Sequence, residues 1–349
     1  SHLLCKKDYT SKSRTDYNTT SNSKKQLFFS ENFQRCIAPR FSQILKQIDL
    51  SENKGDTTMQ FRTDLAIEVA DEAQHLTDED VGKDTFREGD TCVTRLHIRT
   101  DRAARALGKP QGAYITVEVP PLTDNEETLG KAAGLVANEL TALLPAEGSV
   151  LVVGLGNRAI TPDALGPESA DMVLATRHIG GEFARSVGLD DLRPTAVLTP
   201  GVLGQTGTES GEIVRGVCTV VHPVAVVVVD ALAARSVARL GCTVQLCDTG
   251  IAPGSGVGNN RQPLNAETLG VPVIGMGVPT VVDAATIARE FSDRGEEAPD
   301  LTPRGAQMMV TPREVDVMIH RAARLVAMAI NGALQPDYNP LELIAVAKG

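Results

Sequence analysis

The run Val224–Val229, VAVVVV, is the most apolar in the chain and constrains the fold more than any other stretch. An apolar, valine-rich run without polar alternation fits a strand covered on both faces, as in a parallel sheet flanked by helices. It leads straight into Asp230, and a carboxylate touching such a strand is costly to bury unless it is paired or used. The stretch from Ser149 to Ala170 repeats the pattern. Val150–Val153 is apolar, Gly154 and Gly156 break it, and Pro162 follows as a rigid turn or the first residue of a helix. Asp163 comes next, which places a carboxylate just past the carboxyl end of a buried strand, the edge where open α/β sheets bind ligands. Either aspartate alone also fits a helix N-cap. If the two strands are neighbours, the two acids face each other and one of them holds a proton near neutrality.

The remaining text continues an alternation of strands and helices. Thr91–Ile98 and Ala113–Val119 read as strands, and Thr123 with Glu126 forms a capping box for a helix reaching Leu144. Leu129, Ala133, Val136, Leu140 and Leu143 fall on one face of that helix, and Pro145 closes it. Strands are expected at Ala196–Leu198, Val224–Val229, Thr243–Cys247 and Val271–Met276. Helices are expected at Glu209–Val217, Ala231–Leu240, near Val281–Phe291, and from about Pro312 to Leu334. This βα order predicts an α/β fold, a twisted parallel-dominated sheet with helices on both faces.

Residues 1–60 differ from the rest. They are net basic in a chain whose overall charge is −10, and Ser, Thr, Asn and Lys crowd positions 10–25, a disorder-like composition. A short amphipathic piece is expected from Phe33 to Leu50. Residues 61–349 read as a single domain. The acidic excess argues against binding a phosphate backbone, and 3% aromatic residues with no tryptophan argue against single-strand stacking platforms, so no direct nucleic-acid contact is expected. A basic or DNA-associated protein can still be drawn to such a surface. The six cysteines form no C-x-x-C pair and have no histidine cluster beside them, which excludes the usual zinc patterns and fits a reduced, cytoplasmic compartment. No apolar segment is expected to reach the roughly 20 residues of a membrane span, and no signal-peptide core opens the chain.

Several short motifs compete for the glycine-rich loops. Gly154-Leu155-Gly156-Asn157-Arg158-Ala159 matches the dinucleotide fingerprint G-x-G-x-x-A after a strand, which supports a dinucleotide-binding oxidoreductase. Against it, Pro162 interrupts the helix that would start under the pyrophosphate, and no acid ends a second strand about 20 residues on. Asp248-Thr249-Gly250 spells the triplet of two-lobed aspartic proteases, but it occurs once, in an α/β context, and fits an Asp turn. Its carboxylate is a candidate supporting group at the same sheet edge. Gly254–Arg261 is a glycine-rich loop without the Lys-Ser/Thr ending of a P-loop, and reads as a mobile wall over the cleft. No G-x-S-x-G elbow is present, and His178 and His222 stand isolated as structural residues.

The runs GLGNRAITPDALGP, TPGVLGQTGTES, VVVDALAARS, DTGIAPGSGVGNNR, LGVPVIGMGVPTVVDA and MMVTPREVD resemble the germination protease family of spore-forming bacteria, from about Phe61 to the last helix. The resemblance implies an atypical aspartic endopeptidase that degrades small acid-soluble spore proteins during germination, in the cytoplasm of the forespore and spore core. Its two essential aspartates fall on Asp163 and Asp230. It further implies a self-processing zymogen cut between an acidic and a hydrophobic residue, here Asp64 and Leu65, with residues 1–60 in the place of the prosegment or an extension of it. It implies a homotetramer with neither cofactor nor metal. Asn157 and the amides beyond Gly156 are candidates to orient the scissile group, and Arg158, Arg177 and Arg235 to meet an acidic residue before the cut. A more distant similarity to hydrogenase-maturation peptidases implies a core of that kind and keeps a metal-dependent peptidase as an alternative. Between Phe291 and Met308 the chain is shorter than the family pattern.

Overall fold

The computed structural model describes residues 63–73, 75–122, 129–186, 189, 191–254, 261–290, 305 and 308–349. The expectations for residues 1–60, for the Thr123/Glu126 capping box, for the middle of the Gly254–Arg261 loop and for residues 291–304 lie outside the described residues.

Among the described residues nine strands form one mixed sheet. They are β1 (Val81–Glu88), β2 (Thr91–Ile98), β3 (Gly112–Glu118), β4 (Val150–Gly154), β5 (Thr195–Leu198), β6 (Ala225–Ala234), β7 (Thr243–Cys247), β8 (Val273–Asp283) and β9 (Met309–Val310). Their order is β1-β2-β3-β7-β8-β6-β4-β5, with β9 on β8. The half that carries both valine runs, β5-β4-β6-β8, is parallel throughout. The other half, β1-β2-β3-β7, joins β8 antiparallel, and so does β9.

Helices cover both faces of the parallel half, which is why its strands show no polar alternation. Val150, Val152, Val227 and Val229 project into a layer made by the helices Leu129–Leu143, Leu165–Ala170 and Val315–Leu334. Leu151, Val153, Val226 and Val228 project into the opposite layer, against Val214 and Cys218 of the helix Ser210–Val221. All eight sheet residues are fully buried, and each such side chain contributes about 1.5–3 kcal/mol of transfer free energy. The helix Val315–Leu334 is long and apolar enough, by length and composition, to cross a membrane, contrary to expectation. It is the core helix of this layer, with Leu325, Val326, Ala327, Ala329 and Ile330 buried.

The structure corrects one element that matters for function. Ala231–Leu240 is not a helix: β6 runs through Asp230 to Ala234, followed by a 3₁₀ turn at Val237–Arg239. The ALAA sequence is a good helix former, but its ladder with β8 continues from Asp230↔Gly277 to Ala234↔Val282, and Leu232 and Ala234 bury against Leu65 and Val282. Tertiary pairing outweighs local propensity here. Strand β8 is likewise longer than its apolar start, reaching Asp283 before the helix Ala284–Glu290. Strand β1 and the short terminal helix Pro340–Lys348 carry too weak a periodicity to be read from the text.

Candidate active site

Strand β4 stops at Gly154 while its neighbour β6 continues, and this mismatch opens a cleft. The β4–β6 ladder ends at Gly154↔Val229, with one further bond from the Leu155 amide to the Val229 carbonyl (2.8 Å). Beyond it the chain leaves the sheet, and the exposed side of Asp230–Ala233 becomes one wall of a cavity of about 370 Å³. Asp64, Gly156, Asp163, Arg261, Thr280 and Thr311 are among the residues that complete it.

Asp163 reaches this cleft on a short 3₁₀ turn, Thr161–Asp163, opened by Pro162. Two glycines permit the placement. Gly156 has φ +118°, and a Cβ there would stand 2.0 Å from the Asp163 carbonyl oxygen. A Cβ on Gly166 would lie 2.1 Å from the Leu155 carbonyl and 2.6 Å from that of Val229, so only glycine lets the following helix start against both strand ends. The turn is then tied down at both ends. The Asn157 amide donates to Asp163 Oδ2 (2.7 Å), and Thr280 Oγ1 of β8 donates to the Pro162 carbonyl (2.8 Å).

Asp230 arrives from the other side, in mid-strand and 7% exposed, with the Ala231 amide donating to its Oδ1 at 2.9 Å. Burial pushes its carboxyl well above the ordinary range, and the neighbouring charges of Asp163 and then Asp64 push it further; the Ala231 amide and Arg261 pull weakly the other way. Asp163 is only half-buried. Burial raises its pKa as well, opposed by the Asn157 amide and by Arg261. Two such carboxyls do not ionise together. Asp230 is the one that keeps the proton, because it is more deeply buried and faces two like charges. The cleft therefore holds two acids, both above the ordinary carboxylate range and Asp230 the more strongly so.

The other residues singled out from the sequence fall into two groups. Asp64 lines the same cleft, and Leu65 beside it is completely buried. The remainder are not brought to the cleft. Asn157 turns its side-chain oxygen to the Ala159 amide (3.0 Å) and the Gln205 amide group (2.9 Å), so only its backbone N–H serves Asp163. Arg158 pairs with Asp171 on the surface. Arg177 is exposed beside β5, with its amide on the Thr195 carbonyl. Arg235 lines a different groove with Glu68, Asp71 and Arg239. Asp248 caps the start of β3 by accepting from the Ala113 amide (2.8 Å). Each is spent locally because its own element points it away from the β4/β6 edge.

The dinucleotide reading meets a geometric obstacle as well. The loop amide that would hold a pyrophosphate is taken by the Asp163 carboxylate, and the Asp163 carbonyl crowds Gly156. Among the described residues no group of three or more His, Cys, Asp and Glu gathers as a metal-ligand set. Sequence reasoning missed Arg261 as the cleft's cation. Its signal was its place at the end of the glycine loop, and Gly254 and Arg261 do wall the cleft. It also missed Lys109 and Gln245, which no motif marks.

Fold and cleft together define an α/β protein with paired acids at the open edge of a parallel sheet segment. Residues 60–294 match the germination protease family. Relatives named germination protease include those of Caldanaerobacter subterraneus (40% identical over 81% of this chain and 96% of the relative), Clostridium acetobutylicum (39%; 82% and 98%) and Priestia megaterium (34%; 84% and 96%). The chain belongs to the germination protease family, a family of peptidases. Among solved structures, a [NiFe] hydrogenase maturation protease from Thermococcus kodakarensis aligns with 55% of this chain and 98% of its own, at 18% identity and a TM-score of 0.32, a likeness too slight to bear on the chemistry.

Proposed function

We propose that the chain is an endopeptidase that hydrolyses small acid-soluble spore proteins during germination, in the cytoplasm of the spore core, and that it is made as a self-processing zymogen. The observation that carries this reading is the pair Asp163 and Asp230 in one cleft, one half-exposed and one buried. Asp163, as carboxylate, takes a proton from a water molecule while the oxygen of that water adds to the scissile carbonyl carbon. Asp230, as acid, gives its proton to the carbonyl oxygen. Collapse of the tetrahedral diol breaks the C–N bond: the leaving nitrogen takes up the proton held by Asp163, and one of the two hydroxyls returns its proton to Asp230. Arg261 is positioned to meet an acidic side chain before the cut, the role the sequence alone gave to Arg158, Arg177 or Arg235.

Self-processing between Asp64 and Leu65 accords with the same geometry. The carboxylate of Asp64 lines the cleft and accepts from the Ala233 amide (2.8 Å), and its own amide donates to the Ala233 carbonyl (2.9 Å). Residue 64 is thus held against Ala233 of β6 by one main-chain bond and one side-chain bond. Leu65 fills an apolar pocket with Leu232, Ala234 and Val282, which fits an acidic residue followed by a hydrophobic one. The assembly is taken to be a homotetramer.

Incubation with a small acid-soluble spore protein, followed by mass measurement of the fragments, tests the reading. Cuts between acidic and hydrophobic residues, persisting in chelator and absent from Asp163→Asn, are expected. An uncut substrate, or activity lost to chelator and restored by a divalent ion, would overturn it.

A further inference from the structure

We propose that Lys109 and Gln245 are the donors that hold and polarise the carbonyl oxygen of the Asp64–Leu65 bond during self-processing. The inference rests on the reading that this bond is the one cut. That carbonyl oxygen accepts from Lys109 Nζ and from Gln245 Nε2, each at 3.0 Å. The same ammonium reaches the Thr63 carbonyl at 3.3 Å, and the Gln245 side-chain oxygen accepts from the Ala66 amide at 2.7 Å. Gln245 is 6% exposed, so an amide with both ends engaged on one segment, at Asp64 and Ala66, is a built feature rather than a surface accident.

The placement follows from the sheet. In the ladders of β8, Gly277 pairs with Gln245 on one side and with Asp230 on the other. Residues in register project to the same face, so the Gln245 amide and the Asp230 carboxyl lie in one row across Gly277, whose missing side chain leaves room for Leu232 to lean over it. Lys109 enters from the loop before β3, half-buried; burial lowers its pKa from the ordinary value, opposed by the charges of Asp64, Cys247 and Glu68. Asp64 therefore has its carboxylate in the cleft of the two aspartates and its carbonyl oxygen on a cation and an amide.

As water adds to the Asp64 carbonyl carbon, negative charge grows on that oxygen. A fixed ammonium and N–H are stabilised partners for it, and Asp230 then supplies the proton before the C–N bond to Leu65 breaks. Products are residues 1–64, ending in a carboxylic acid, and a chain beginning at the Leu65 amine. The competing role for the same contacts is a clamp that keeps the bond from reacting, and the two roles predict opposite signs.

The test follows the intact mass of the full chain over time for wild type, Lys109→Met, Gln245→Met and Lys109→Arg, with a thermal melt of each. Loss of one such donor is expected to slow the appearance of the Leu65 N-terminus by about 100-fold or more, with Lys109→Arg recovering much of the rate because it keeps a cationic donor. The melts separate rate from folding, and Gln245→Met carries the test if Lys109→Met does not fold. Processing at the wild-type rate or faster in the methionine variants, or an arginine variant as slow as methionine, would overturn the proposal while leaving the bond assignment standing. A wild type that never cuts after Asp64 would overturn both.

Discussion

Replacing Asp230 with asparagine should stabilise the fold, and by an amount that grows with pH. Asp230 is 7% exposed, and its carboxyl is held well above the ordinary value of 3.8 by burial and by the charges of Asp163 and Asp64. The folded protein therefore keeps this proton at pH values where the unfolded chain has released it. A group raised in this way favours folding most fully below the ordinary value and loses that contribution as pH rises toward the folded one. Over that window the loss amounts to about 1.4 kcal/mol per pH unit. Asparagine has the shape of the protonated acid, still offers an oxygen to the Ala231 amide, and carries no such penalty. For a domain of this size about 1 kcal/mol corresponds to about 2–4 °C in Tm, so the gap between Asp230→Asn and wild type should widen by about 3–6 °C for each pH unit. Thermal melts of both proteins at steps of about one pH unit from the ordinary carboxyl value upward measure it. A gap that stays constant, or a variant that melts below wild type at pH 7, would refute the assignment of Asp230 as the buried, proton-bearing member of the pair.

Other substitutions probe the surroundings. Leu65→Ala empties a fully buried site against Leu232, Ala234 and Val282, and should cost about 2–5 kcal/mol, read as a lower denaturation midpoint; a loss under about 1 kcal/mol would mean that the pocket collapses around the smaller side chain. Arg261→Gln removes the cation that lowers both acids, so both limbs of the pH–rate profile should move to higher pH, and unmoved limbs would remove Arg261 from the site. Gly156→Ala places a Cβ 2.0 Å from the Asp163 carbonyl at φ +118°, displacing the turn that carries Asp163; self-processing should fall more than tenfold with far-UV CD unchanged, and an undiminished rate would show that the turn tolerates the shift.

The valine runs told most of this story in advance, because double-sided burial leaves no other use for Val150–Val153 and Val224–Val229. They also put Asp163 and Asp230 at or past the carboxyl ends of two strands without saying whether those strands are neighbours; β4 and β6 do pair, with Asp163 on the turn after β4. The reading failed where local propensity and pairing disagree: ALAARS is helix-like text, yet the ladder to β8 carries β6 through Asp230, so that acid lies inside a strand and owes its high pKa to that burial. Arginines chosen by proximity in sequence, Arg158, Arg177 and Arg235, were poor guesses because a side chain's reach depends on which face its element shows. Arg261, Lys109 and Gln245 come to the site from distant strands and loops, and only the order β3-β7-β8-β6 brings the last two within reach of Asp64.

Self-processing of the two aspartate variants tests the paired-acid site most directly. Full-length wild type, Asp163→Asn and Asp230→Asn, incubated side by side across a range of pH and followed by intact mass, should give a wild type that shortens to a Leu65 N-terminus and two variants that keep all 349 residues while remaining folded. Either asparagine variant shortening at the wild-type rate would contradict a water molecule shared between Asp163 and Asp230.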